Sequence, residues 1–160
     1  MYPTRNDMPQ ELRSKVASLL NARLADALDL EAASKQAHWN VKGPHFIALH
    51  ELFDKVHDSI EDHVDTLAER ITALGATAHG TVHAAARATS LAPYPEDIAE
   101  GAAHLEALGD RLAEFGKNSR AAIAESDELG DADTADLFTG ISRDLDKHLW
   151  LLEAHLHGKR

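Results

Sequence analysis

From Phe46 to Leu74 the apolar residues recur at every third or fourth position: Phe46, Leu49, Phe53, Val56, Ile60, Val64, Leu67, Ile71 and Leu74. That period fits a helix, and the stripe is roughly eight turns long. A helix of that length with one apolar face needs a partner surface of matching length. Three further stripes supply it. Leu12, Val16, Leu19, Leu20, Leu24 and Leu28 mark a first helix, stopped by Asn40-Val41-Lys42-Gly43-Pro44, because Gly and Pro punctuate and the residue before Pro avoids helix. Ile98, Leu105, Leu108, Leu112, Phe115 and Ile123 mark a third. Its spacing predicts a start at Pro95, with Glu96 and Asp97 in the first turn where the helix dipole favours acids. After a short acidic turn from Asp127 to Asp133 around Gly130, a fourth helix runs from Thr134 on Leu137, Ile141, Leu145, Leu149 and Leu152, fraying at Gly158.

Loop lengths set the topology. Short links join helices one to two and three to four, so each pair is an antiparallel hairpin. About twenty residues separate the pairs, long enough to cross the length of a bundle. Gly75, Gly80, Pro93 and Pro95 bracket this crossover, and an Ala-rich piece from Thr81 to Ala88 predicts a short helix inside it. Two hairpins with one long crossover resemble the ferritin-like arrangement. The expected fold class is therefore all-α: a four-helix bundle with a short extra helix between helices two and three. One domain is expected over 1–160, with short tails at 1–9 and 158–160.

Composition narrows the chemistry. The 160 residues include no cysteine, so neither a disulfide framework nor a thiolate metal site is available. Met1 to Gln10 is polar and offers no signal peptide, and no run approaches a membrane span. A soluble cytoplasmic protein is expected. The formal charge of -11 argues against a chain whose main task is gripping phosphate and suits one that attracts cations.

Eleven histidines turn attention to metals, since imidazole is a common transition-metal ligand. A ferritin-like chain that holds two metals in its own core needs Glu-x-x-His. The sequence contains none, and Asp54-x-x-His57 comes nearest. Instead, His50 and Asp54 share a face of the second helix, as do Asp65 and Glu69. The pairs lie about 16 Å apart along one straight helix. Two copies of that helix packed antiparallel about a two-fold axis near Ser59 and Ile60 would bring His50 to Glu69 and Asp54 to Asp65. Such an isologous contact makes two equivalent sites. His38 lies near the end of the first helix, symmetric with His50 about Pro44, so the two can meet across the hairpin. Charged residues four apart also line ordinary solvated helix faces, which keeps the bland reading open.

At these residues the sequence resembles the Dps family of miniferritins. The likeness is carried by Lys35-Gln36-Ala37-His38-Trp39-Asn40-Val41-Lys42-Gly43, by Phe46-Ile47-Ala48-Leu49-His50-Glu51-Leu52-Phe53-Asp54 and by Asp65-Thr66-Leu67-Ala68-Glu69-Arg70. Asp133-Thr134-Ala135-Asp136-Leu137-Phe138 and Arg143-Asp144-Leu145-Asp146-Lys147 through Trp150 extend it. The resemblance implies a ferroxidase that protects against oxidative stress: a dodecameric hollow shell that binds ferrous iron, oxidises it preferentially with hydrogen peroxide, and stores ferric mineral. It also implies that His38, His50 and Asp54 of one subunit, with Asp65 and Glu69 of its two-fold partner, are the iron ligands and catalytic residues. Trp39 would be a site neighbour, more an anchor than a redox group. Asp131, Asp133 and Asp136 match the region that lines three-fold pores.

His57, His63, His79, His83, His104, His155 and His157 read as surface histidines. Many Dps proteins also condense DNA through a lysine-rich tail, and here the chain departs from the pattern. It offers only Arg5, beside Asp7, at one end and Lys159 and Arg160 at the other. Twelve copies would carry a formal charge of about -130, so strong DNA binding at neutral pH is not expected. The competing readings are a DNA-condensing nucleoid protein with secondary metal binding and a purely structural helical oligomer.

Overall fold

The computed structural model describes the backbone of residues 1–159 and the side chains of residues 1–158. Arg160 and the side chain of Lys159 lie outside the described residues. The helices are α1 (Gln10–Asn40), α2 (Phe46–Ala73), α3 (Val82–Ala88), α4 (Gly101–Glu128) and α5 (Ala132–Leu156), followed by a 3-10 turn at His157–Lys159. Hairpin α1–α2 packs against hairpin α4–α5, and α3 lies against α1. This is the four-helix bundle with a crossover helix that the apolar stripes imply. Its midline is hydrocarbon: Leu20, Leu24 and Leu30 meet Phe53, Val56, Ile60 and Leu67, and Leu108, Leu112 and Phe115 meet Phe138, Ile141 and Leu145. Each such side chain contributes roughly 1.5–3 kcal/mol on burial, which makes the bundle a rigid mount for whatever its surface carries. No helix among the described residues is long and apolar enough to cross a membrane.

One boundary differs from the sequence expectation. The third long helix, α4, begins at Gly101 rather than Pro95. Residues 95–100 are not helical. The Lys42 N–H instead bonds the Ala99 carbonyl at 2.8 Å, and Lys42 and Glu100 form an isolated parallel bridge. The α1–α2 loop thus claims backbone groups that a longer helix would have used. Gly101 then lets α4 start hard against α2, because a Cβ there would meet Leu49 Cδ1 at 2.5 Å.

The crossover is pinned to α1 by buried polar groups. Asp26 is fully buried and accepts from the Ser90 N–H at 2.7 Å and the Ser90 hydroxyl at 3.0 Å. The Thr89 hydroxyl donates to Asp29 at 2.9 Å. Gly75 ends α2 with φ +83°, a value that costs glycine little. Arg13 then reaches the Leu74 carbonyl at 2.8 Å and the Met8 carbonyl at 3.0 Å, fastening the N-terminal segment to the end of α2.

Candidate metal centre

The α1–α2 turn brings His38 and His50 into contact. Their rings stack with centroids 3.6 Å apart and planes 22° off parallel. The Nδ1 atom of each bonds the backbone carbonyl of the other at 2.8 Å. A carbonyl can only accept, so both Nδ1 atoms carry hydrogen and both Nε2 atoms keep a free lone pair. Metal-ligating histidines are commonly oriented this way, with the second nitrogen donating to a carbonyl.

Asp54 stands one turn beyond His50, with Oδ1 3.6 Å from His38 Nδ1. Its carboxylate is half-buried and paired with Lys35. The Lys35 hydrogen bond holds its carboxyl below the usual carboxylate range. Asp54 is therefore an anion at neutral pH. Two imidazoles with free Nε2 lone pairs and one carboxylate at the same end of the hairpin are N and O donors of the kind first-row divalent metals take, but within this one chain they do not bring one ligand atom each within 4.8 Å of one another. Trp39 follows His38 but projects outward and is 68% exposed.

Asp65 and Glu69 do not join this group within the chain. Both are exposed on α2, about 16 and 22 Å along the axis from Asp54. They lie on the same solvent-facing stripe as His50 and Asp54, as the helical period requires. Between the two pairs, one nitrogen of His57 and one carboxylate oxygen each of Asp58 and Glu61 lie within 4.8 Å of one another. The sequence reading passed over this cluster, although positions i, i+1 and i+4 on a helix are the signal for it.

The fold agrees with what known proteins show. A family model described as a ferritin-like domain matches residues 17–160. A DNA protection during starvation protein of Agrobacterium fabrum is 49% identical over 158 residues, covering 99% of this chain and 98% of the relative. That degree of likeness over the whole length decides the matter. The chain belongs to the Dps family of ferritin-like proteins. DpsA14 from Streptomyces coelicolor superposes with a TM-score of 0.91 at 38% identity, covering 97% of this chain and 91% of that one. The Dps protein of Vibrio cholerae, described as a ferritin-like diiron-carboxylate protein, gives a TM-score of 0.91 at 26% identity, with 98% of each chain covered.

In this Dps chain the three candidate pore aspartates differ sharply. Asp131 is 3% exposed and caps α5. It accepts from the Thr134 N–H at 3.1 Å, the Thr134 hydroxyl at 2.6 Å and Arg70 Nη2 at 2.7 Å. Burial works against its ionisation, yet the bonds from Thr134 and Arg70 outweigh it and hold the carboxyl below its ordinary range. Asp131 is thus a structural anchor between α2 and α5. Asp133 and Asp136 are exposed and alone of the three present their carboxylates to solvent.

The surface expectation also gives way at two histidines. His104 is 1% exposed. The His63 side chain is 13% exposed and faces Asp144, with Nε2 3.3 Å from Oδ2. Burial pushes both imidazoles below their ordinary pKa.

Proposed function

We propose that this Dps chain is a ferroxidase and iron store whose working sites are shared between subunits. His38, His50 and Asp54 of one subunit bind ferrous iron, and Asp65 and Glu69 of the two-fold partner complete the site. The observation that carries this reading is the reciprocal His38–His50 arrangement. It leaves two Nε2 lone pairs free on the end of the hairpin that carries Asp54, whose Oδ1 is 3.6 Å from His38 Nδ1, and His50 and Asp54 share the stripe that also bears Asp65 and Glu69. Iron is the substrate here. The histidines hold ferrous iron and tolerate both oxidation states, whereas the carboxylates, as hard anions, favour the ferric product. On binding, a cation must draw Asp54 away from Lys35, so Lys35 becomes free as positive charge arrives.

Hydrogen peroxide is the preferred oxidant in this reading. One peroxide takes one electron from each of two irons, which leaves no radical. A dodecameric shell in the cytoplasm then holds the ferric mineral, and the exposed Asp133 and Asp136 draw cations toward it. Protection of DNA, named in the relatives, follows on this account from removing iron and peroxide. A formal charge of -11 per subunit opposes gripping phosphate.

Anaerobic titration of the assembled protein with ferrous iron, followed by peroxide, tests the reading. Saturation near about two irons per site and rapid ferric absorbance with about one peroxide per two irons is expected. Oxidation no faster than in buffer would return the protein to a structural or DNA-binding role.

A further inference from the structure

Tyr94 and His104 form a pair that the iron site does not use. The Tyr94 hydroxyl lies 2.6 Å from His104 Nδ1, and the rings stack at 6.0 Å with planes 17° apart. His104 is buried on α4. The Ile98 carbonyl beside the ring favours its protonated form, and a carbonyl can only accept. Among the described residues the buried Nε2 has no hydrogen-bond partner; in the tautomer that carries hydrogen on Nε2, Nδ1 accepts from the phenol. Arg111 sits over the Tyr94 ring, 4.8 Å from its centroid, and is fixed there by the Ala92 carbonyl. Burial raises the Tyr94 pKa, so the phenol stays protonated.

This arrangement controls how Tyr94 can lose an electron. A cation over the ring disfavours any ring that becomes positive. The electron can then leave only if the phenolic proton leaves with it, and His104 Nδ1 is already in place to take that proton. The pair packs against the core side of α2. His104 lies 6.2 Å, centroid to centroid, from Phe53, the residue before Asp54. The bond from Lys42 to Ala99 holds the 94–104 segment against the hairpin that carries His38 and His50.

We propose that Tyr94, with His104 as its proton acceptor, is a one-electron donor that quenches strongly oxidising radicals, hydroxyl radical in particular. The source of that radical rests on the iron reading above. When one ferrous ion meets peroxide alone, it gives ferric iron, hydroxide and hydroxyl radical. Tyr94 passes one electron to the radical, which becomes hydroxide, and its proton moves to His104. The next ferrous ion reduces the phenoxyl, and His104 returns the proton. The sum is two ferrous ions oxidised by one peroxide to two ferric ions and two hydroxides, with no radical released.

The test has an iron-free arm and an iron arm. The chain has only two tyrosines, Tyr2 and Tyr94, so Tyr94→Phe leaves a single alternative. In the first arm, azide radical oxidises the metal-free protein and electron paramagnetic resonance identifies the radical. A tyrosyl signal lost in Tyr94→Phe is expected, with its formation slowed about a hundredfold in His104→Gln, where the positioned base is gone. In the second arm, limiting peroxide is added to the ferrous-loaded protein with a hydroxyl-radical trap present. Tyr94→Phe should lose the signal and release several-fold more trapped radical, with the initial rate of ferrous oxidation unchanged and fewer ferrous ions oxidised per peroxide. A signal that survives Tyr94→Phe, or that is tryptophanyl, overturns the proposal, as does equal trapping in the two proteins. If iron is not oxidised at all but azide still yields the His104-dependent Tyr94 radical, the iron reading fails and the redox tyrosine stands.

Discussion

Replacing Asp65 by Asn and Glu69 by Gln together is expected to abolish ferrous binding at the proposed shared site and to leave the fold intact. Both carboxylates are exposed on α2, and among the described residues neither takes a side-chain hydrogen bond or ion pair. Exposed substitutions of that kind shift stability by no more than about 0.5 kcal/mol. Their effect on iron should be large, because two of the five proposed ligands, and both charges assigned to the partner, disappear at once. Loss of supporting groups alone costs roughly 10–100-fold in metal affinity, so the double variant should fall at least at the upper end. Ferrous titration with peroxide reads the binding, and circular dichroism with thermal unfolding reads the fold. Unchanged binding would move the metal to other donors, with His57, Asp58 and Glu61 the first to test.

Asp131→Ala, by contrast, acts on stability. The carboxylate caps α5 and pairs with Arg70, whose side chain is only 17% exposed. Its removal costs a helix cap, worth about 1 kcal/mol, and strands a largely buried guanidinium. Together these give about 3 kcal/mol, or a melting temperature lower by roughly 6–12 °C. The pH dependence follows from the same bonds. The folded carboxyl titrates below its unfolded value, so its stabilisation is complete above that value, near pH 4, and is lost as pH falls through the folded pKa. Asp131→Ala should therefore flatten the acid limb of the stability curve in that window. Unchanged stability with slowed iron uptake would restore Asp131 to a pore role.

The bundle was legible because long apolar stripes of one period leave few alternatives, and Pro44 and Gly75 mark where helices must stop. The His38–His50 contact was legible for a related reason. Two residues symmetric about a tight hairpin link have to meet, whatever else the chain does. Other features depend on groups distant in sequence. Pro95, Glu96 and Asp97 carry every local mark of a helix start, but the Lys42–Ala99 bond overrides them. Asp131 and Asp133 are two apart in the same acidic turn, yet the first is buried and hydrogen-bonds Arg70 and Thr134, whereas the exposed Asp133 reaches Arg70 Nη1 only at 3.7 Å. The pairing of Tyr94 with His104 bridges a loop and a helix, and no periodicity announces it.

The central claim is that each iron site is built from two subunits, and mixing subunits tests it most directly. His50→Ala and Glu69→Ala proteins, each inactive alone, are co-assembled in equal amounts and assayed for ferrous oxidation. In a mixed dimer one site collects both defects and the other none. Random pairing then restores about a quarter of the sites. Recovery near a quarter of wild-type activity is the result this account predicts. No recovery in properly assembled mixed shells would place all the ligands in one chain and contradict it.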